Sequence, residues 1–539
     1  MKVASAWSGH DCSFCILEDG RPVVHAEYER YIREKEPAGD GVQFLFDEYK
    51  DSGDIKYFAT NHLIDKLRNH DESYKRMKKV IEENGGQMFV LGHHQCHAAN
   101  AFFSSNFDES LIITMDGGGV ESADQYTTSF TVWAGKDNKI EPIEVFPFNQ
   151  VNVGGIWTRV TRYVFEMQSG WPYGHQAGTL MAMAALGNPD KYFDDFYRML
   201  TTDLVPASTR APGQPRGAVV PGKDPKHPYL HKWKAIAEKS EEDKFDLAAG
   251  LQKATEVYMQ RLLDFILESH DHTNICFAGG VSLNSVVMGK MFDWLPGKNL
   301  YVTPTPHDGG LTLGAAQYVW HHILDNPRIK WEDNFSPYLG FTYDNLSAEK
   351  KKYKDKVKFK KVKDSDVINL LDEQNIVAVF GGGSESGRRA LGNRSILADP
   401  RSPEMKDIIN EKVKHRQWFR PFAPSILREE VKNWFTKDHP SPYMSFVLKF
   451  KEEVREKVPA VVHFDGSARL QTVTENDNKW YYNFIKEWHN KTNVPILLNT
   501  SFNDREPICE TPEHAINCFL KTEIDYLYFY DKNLLVERK

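Results

Sequence analysis

The sequence predicts an α/β protein built of two domains, and three observations carry that reading. A length of 539 residues exceeds what one ordinary core accommodates. A strand, a glycine turn and a helix read twice in succession between positions 275 and 323, and a lysine-rich segment near 345–365 separates two halves with their own motifs. The expected domains are residues 1–345 and 355–539.

The elements follow in order. VASAW, CSFCIL and PVVHAEY read as strands, with Glu18-Asp19-Gly20 as the turn between the last two. LIITMD, TSFTVWAG and IEPIEVF form a second strand set after Asn106, which suggests a mixed sheet. The stretch 205–228, rich in proline, glycine and charge, reads as an extended surface loop or lid. Apolar residues at Leu247, Leu251, Ala254, Leu262, Phe265 and Ile266 keep helical spacing through Asp246–Ser269. The strand ICFAGG, a helix from near Asn284, the strand LYVTP and a helix through Ala315–Ile323 complete the first half. In the second, NIVAVFGGG, VPAVVHF, VPILLNTSF and DYLYFYD read as strands, and Thr511 with Pro512 opens a helix. The lysines between the halves are read as a solvated face or linker rather than an anion site.

Composition narrows the class. With 41% hydrophobic and 26% charged residues the chain is that of a soluble globular protein, and a net charge of −8 provides no overall attraction for nucleic acid. The longest apolar runs, such as Leu180–Leu186, fall far short of the roughly 20 residues of a membrane helix. Asp11 stands where a secretory signal needs apolar residues, so a cytoplasmic enzyme without a membrane partner is expected; whether it is a monomer or a homodimer stays open. Six scattered cysteines do not make a disulfide framework. Cys12 and Cys15 are read as small buried residues, not as a redox or zinc pair.

Two clusters carry chemistry. In LGHHQCHAANA, His93 and His97 stand four apart, so on a helix both imidazoles share one face and can share an ion, whereas His94 points away. Asp116 ends a strand beside Gly117-Gly118-Gly119, and Asp308 repeats that arrangement in PHDGG. The glycine turns at 117–119, 279–280 and 309–310 make a nucleotide cradle plausible, with His10 placed to face it as a base. In the second half Arg388, Arg389, Arg394, Arg401, Lys412, Lys414, Arg416 and Arg420 crowd a glycine-containing stretch. Such arginines suit bidentate binding of phosphate or carboxylate, with a nucleic-acid stripe or plain surface charge as the competing readings. LNTSFN at 498–503 adds neutral donors and acceptors.

The segments GSESGRRALGNRSILADPR, VKHRQWFRPFAPSI, HFDGSARLQTV and LLNTSFN resemble the O-carbamoyltransferases that decorate nodulation factors, cephems and tobramycin. HHQCHAANAFF, MDGGG, GGVSLN and HDGG resemble that family's N-terminal domain, itself similar to the tRNA threonylcarbamoyl transferase and to actin-like ATPases. The resemblance implies an actin-like, threonylcarbamoyl-transferase-like first domain and a threonylcarbamoyl-adenylate-synthase-like second one. It implies that carbamoyl phosphate yields carbamate, that carbamate and ATP yield carbamoyl-adenylate and pyrophosphate, and that an acceptor hydroxyl then takes the carbamoyl group.

By matching motifs, Arg389, Lys414, Arg420, Asn499 and Ser501 would hold carbamoyl phosphate. His93, His97, Asp116 and Asp308 would hold a divalent metal, Fe2+ before Mn2+ or Zn2+. Gly117, Gly118, Gly279, Gly280, Asn284 and Gly309 would contact nucleotide, Mg2+ would accompany ATP, and His10 would be the general base. The chain departs from the family at Arg388, where proline is usual, at Thr179, where lysine is common, and in a shortened loop at 503–506. The acceptor is expected to be a hydroxylated small molecule, with hydroxymethylated DNA as an alternative. Trp157, Tyr163, Trp171 and Tyr173 are candidate acceptor contacts, against a reading as core. Competing functions are tRNA threonylcarbamoylation and a non-catalytic nucleotide-binding module.

Overall fold

Two runs of alternating strands and helices produce two units, Met1–Trp331 and Glu332–Lys539. The computed structural model describes residues 1–61, 71–121, 127–147, 150–170, 174–201 and 228–539. Positions 205–227 of the proline-rich stretch, and Trp171 and Tyr173, lie outside the described residues.

The first unit uses one sheet plan twice. β1 (Lys2–Trp7), β2 (Ser13–Glu18) and β3 (Arg21–Glu27) form an antiparallel meander, extended in parallel from β1 by β4 (Ile55–Asn61) and β5 (Gln87–Leu91). β6 (Glu109–Val120), β7 (Thr127–Lys136) and β8 (Lys139–Pro147) repeat the meander, and β9 (Asn274–Ala278) and β10 (Asn299–Val302) extend it in parallel from β6. This duplication is the plan implied by the resemblance to actin-like ATPases. Strands β1 and β2 are buried almost throughout, as sheets covered on both faces require.

Helices His93–Ser104 and Leu311–Tyr318 pack together against these sheets, burying Ala98, Ala101, Leu313 and Ala316 completely. Helix Glu241–Ser269 begins at the N-cap Ser240, whose hydroxyl accepts from the Asp243 amide, five residues before the expected start. Phe265, counted among its apolar stripe, is instead 57% exposed.

The second unit is an eight-stranded mixed sheet in the order β11-β20-β19-β12-β13-β18-β14-β17. These are β11 (Val357–Lys361), β12 (Val377–Phe380), β13 (Arg394–Ala398), β14 (Ala423–Leu427), β17 (Gln471–Val473), β18 (Ile496–Ser501), β19 (Tyr526–Phe529) and β20 (Leu534–Arg538), while β15 (Val447–Lys449) and β16 (Ser467–Arg469) form a separate ribbon. Val379, Leu397, Phe484, Trp488, Leu497 and Tyr528 anchor its core.

Two expectations change here. The lysine-rich stretch is a solvated face rather than a linker: it forms helix Ser347–Lys352 and the edge strand β11, where exposed lysines discourage pairing with another chain. VPAVVHF is no strand, because Pro459 lacks an amide proton and opens a 3-10 turn over Pro459–Val461. All six cysteines are buried, and no disulfide forms among them. No helix among the described residues is long and apolar enough to cross a membrane.

Candidate functional site

Four side chains from three elements converge in the first unit. His93 and His97 occupy successive turns of one face of helix His93–Ser104, Asp116 sits at a bulge in β6, and Asp308 opens the turn before helix Leu311–Tyr318. One ligating atom from each lies within 4.8 Å of all the others. His97 Nε2 is 3.2 Å from His93 Nε2, 3.1 Å from Asp116 Oδ2 and 3.4 Å from Asp308 Oδ1. His93 Nε2 stands 3.6 Å from Asp116 Oδ2 and 3.5 Å from Asp308 Oδ1. Two imidazole lone pairs and two carboxylate oxygens aimed at one point fit a divalent cation, and a mixed nitrogen–oxygen set suits iron(II), manganese or zinc. His94, bonded to Thr114 Oγ1 and the Thr128 carbonyl, is part of the core, and burial with His93 and His97 nearby holds it neutral.

Backbone geometry fixes these carboxylates. Asp116 accepts from the amides of Gly117 and Gly280. Gly279 makes that approach feasible: its φ is +88°, and a Cβ there would lie 2.1 Å from the Met115 carbonyl oxygen. The Gly309 carbonyl accepts from His25 at 2.8 Å and Ser13 at 2.9 Å, so this glycine anchors the Asp308 turn from below. Asn284 caps helix Ser285–Trp294 by accepting from the Val287 amide and donates to Gln252. Its polar atoms are committed to structure.

His10 stands beside the cluster with its side chain 32% exposed. Nδ1 faces Asp11 Oδ2 at 3.0 Å, and Nε2 faces Asp308 Oδ2 at 3.2 Å. Burial opposes a positive charge there, but Asp308 and Asp11 outweigh it and push the imidazole up to about 9. His97 is pushed up to about 9 in the same way, by Asp116 and Asp308 against burial. The sequence suggested an ordinary imidazole at His10; carboxylates on both sides make it a cation at neutral pH unless another cation engages them.

In the second unit the cations divide into two groups. Arg394 lies flat over Phe380, 3.6 Å from its centroid, and donates to the carbonyls of Gly381, Gly382, Asn393 and Glu510. Arg401 pairs with Asp399 and Asp372. Lys414 is 2% exposed and faces the Ser501 carbonyl at 2.5 Å, the Asn503 carbonyl at 2.8 Å and Asn503 Oδ1 at 2.7 Å. Three ammonium protons are therefore spent on ordering the loop that carries Ser501.

Arg389, Arg416, Arg420 and Arg469 form the other group, half-buried and without an ion-paired carboxylate among the described residues. Burial, together with Arg469, Arg388 and Arg420, pushes the Arg389 guanidinium well down, and burial with Arg416 and Arg420 pushes Arg469 to about 10. Clustered guanidinium groups without paired acids suit an anion. Asn499 Nδ2 lies within hydrogen-bond reach of Ala390 O, Ser425 Oγ and Gln471 Oε1, while its buried Oδ1 has no partner.

Comparison with known proteins adds a family to this geometry. Residues 72–317 match the family model of the carbamoyltransferase N-terminus, and residues 368–538 match that of the carbamoyltransferase C-terminus. Nodulation protein NolO of Bradyrhizobium diazoefficiens is 33% identical over 454 aligned residues, covering 81% of this chain and 77% of that protein. The chain belongs to the carbamoyltransferase family. An uncharacterized protein of Synechocystis is similar throughout, 34% identical across 96% of the carbamoyltransferase and 94% of its own length. A solved structure of HypF in a phosphate- and nucleotide-bound form superposes with a TM-score of 0.35 and 11% identity over 60% of this chain and 56% of that one, too loosely to bear on function. The protein is thus a transferase, and carbamoyl transfer is its chemistry.

Sequence reasoning missed Arg469 and Glu385 of this carbamoyltransferase. Arg469 lies about fifty residues beyond the basic run, at the end of β16, and only the folded chain brings it within electrostatic reach of Arg416 and Arg420. Glu385 is 1% exposed, and its Oε1 accepts from the amides of Leu391, Asn393 and Arg394 at 2.7, 2.7 and 3.1 Å. It ties down the arginine-bearing loop, a role that an isolated glutamate in GSESGRR does not announce.

Proposed function

We propose that this carbamoyltransferase is an ATP-dependent O-carbamoyltransferase. Carbamoyl phosphate is hydrolysed to carbamate and phosphate. A carbamate oxygen attacks the α-phosphorus of ATP, releasing pyrophosphate and leaving carbamoyl-adenylate. An acceptor hydroxyl then attacks the carbamoyl carbon, its proton passes to a base, and AMP leaves. The observation that carries this reading is the separation of an anion-seeking arginine cluster from a cation-seeking histidine–aspartate cluster on different units. A dianionic donor and a departing nucleotide both call for positive charge, which guanidinium groups would supply on one unit and a bound divalent ion on the other.

Arg389 and Arg420, with Arg416 and Arg469 beside them, offset the charge of carbamoyl phosphate and of the ATP phosphates that Mg2+ accompanies. Asn499 Oδ1, an acceptor with no partner, suits the carbamoyl NH2. Lys414 acts at one remove, by holding Ser501 in place. A divalent ion held by His93, His97, Asp116 and Asp308, iron(II) before manganese or zinc, would supply positive charge as AMP departs. The amides of Gly117 and Gly280 fix Asp116, Gly118 is the turn glycine nearest a nucleotide phosphate, and Gly279 and Gly309 act by packing the turns of Asp116 and Asp308 closely. Asp11 holds His10 Nδ1–H, so that Nε2 is the atom that accepts the hydroxyl proton, a contribution of roughly 10²–10⁴-fold. The acceptor is a hydroxylated small molecule.

Exchange of labelled pyrophosphate into ATP tests the scheme. Exchange is expected to require carbamoyl phosphate and to survive His10→Asn. Neither exchange nor pyrophosphate release in ion-loaded enzyme would sink the adenylate route.

A further inference from the structure

The helix that begins against Asp116 has an unassigned open face. Helix Val153–Arg159 continues as a wider π turn over Val160–Val164, a distortion frequent at functional sites. Its inner stripe, Val153, Ile156, Trp157, Val160 and Val164, is core, and Trp157 Nε1 donates to Thr255 Oγ1 at 2.9 Å. Trp157 is therefore unavailable to a ligand. Gly155, Arg159 and Tyr163, at four-residue spacing, form a half-buried stripe on another face.

This face starts at the histidine–aspartate cluster. A Cβ on Gly154 would lie 2.6 Å from the Gly117 amide nitrogen and 2.7 Å from the Asp116 carbonyl carbon, so the helix touches the turn that orients Asp116. One turn on, Thr158 Oγ1 meets His175 Nε2 at 3.1 Å. Arg159 follows, five residues and about 7.5 Å along the axis from Gly154.

Arg159 differs from the other cations of its region. Lys191, Lys232, Lys234 and Lys253 each pair with an aspartate or glutamate. No carboxylate pairs with Arg159 among the described residues; burial pushes its guanidinium down, and only Tyr163 pulls the other way. The Tyr163 hydroxyl is buried without a hydrogen-bond partner. A partly desolvated cation and a desolvated donor, neighbours on one face, are costly unless a ligand satisfies both.

We infer that Arg159 and Tyr163 form an anion subsite for the acceptor, whose hydroxyl is presented at the histidine–aspartate end while a carboxylate or phosphate pairs with the guanidinium and accepts from the phenol. The assignment of this anion to the acceptor rests on the proposed reaction. The subsite itself is testable by binding alone.

Enzyme saturated with carbamoyl phosphate, so that the arginine cluster of the second unit is filled, is titrated calorimetrically with glucose, gluconate and glucose 6-phosphate. At least one anionic probe is expected to bind roughly tenfold or more tightly than glucose, a difference near 1.4 kcal/mol. Which of the two does so distinguishes carboxylate from phosphate. Arg159→Met should erase the advantage, Arg159→Lys should retain part of it, and Tyr163→Phe should reduce it. Equal binding of all three probes, an advantage that survives Arg159→Met, or a loss of AMP binding in its place would overturn the subsite. Failure of pyrophosphate release would reject the proposed reaction and leave the binding result standing.

Discussion

His10 and Asp308 are joined at 3.2 Å through Nε2 and Oδ2, while the other oxygen of the same carboxylate faces His97 at 3.4 Å and His93 at 3.5 Å. Asp308 therefore links the candidate base to the candidate metal ligands. Anything that engages this carboxylate alters the proton affinity of His10.

Chelator-treated enzyme should lose stability as pH rises from about 6.5 to 9. His10 and His97 are both raised to about 9 in the folded chain. A raised folded pKa gives stability that is complete below the unfolded value near 6.5 and is lost as pH climbs through the folded one. Thermal melts across this window should show the fall, and ion-loaded enzyme should not. Identical, flat profiles would contradict the electrostatics.

Ion binding should expel protons for the same reason. Coordination needs neutral imidazole, and engaging Asp308 also discharges His10, so at pH 7.5 about two protons should leave per ion. Calorimetry in buffers of different ionisation enthalpy counts them. His97→Ala and Asp308→Asn should each weaken ion binding by more than about 100-fold, yet leave carbamoyl-phosphate-dependent pyrophosphate release within about twofold.

Lys414 and Arg389 should respond oppositely to neutralisation. Lys414→Met strands buried acceptors on Ser501 and Asn503, at about 1–3 kcal/mol for each unsatisfied group, and should lower Tm sharply. Arg389→Met removes one charge from a mutually repelling cluster. It should abolish adenylate formation while Tm holds or rises by roughly 2–4 °C, the equivalent of about 1 kcal/mol in a domain of this size.

Glu385 should prove to be a positioning residue. Glu385→Ala frees three amides of the arginine-bearing loop and should raise KM for carbamoyl phosphate at least tenfold, with Glu385→Gln retaining much of the wild-type value because its carbonyl still accepts. Equal defects in both variants would contradict this role.

Local pattern made much of this architecture legible. The strand–turn–strand runs at 2–27 and 109–147, the Asn284 and Thr511 caps and the i, i+4 pair His93/His97 all follow from periodicity and capping chemistry within a few residues. What escaped depends on long-range placement. β4 and β5 follow the turns Ser52-Gly53-Asp54 and Asn84-Gly85-Gly86, but their place in the sheet is set by parallel pairing, β4 with β1 and β5 with β4. The roles of Arg394 and Lys414 were hidden because a basic run does not reveal which cations meet backbone carbonyls and which meet one another. His10 looked like an ordinary base until Asp11 and Asp308 were found on either side of it.

Accumulation of carbamoyl-adenylate in the His10→Asn enzyme tests the central claim most directly. With ATP, carbamoyl phosphate and a divalent ion, mass spectrometry of rapidly quenched reactions should find the intermediate at close to one equivalent per chain, and Arg389→Met should yield none. Pyrophosphate release with no carbamoyl-adenylate detectable in His10→Asn, or accumulation undiminished by Arg389→Met, would contradict the account.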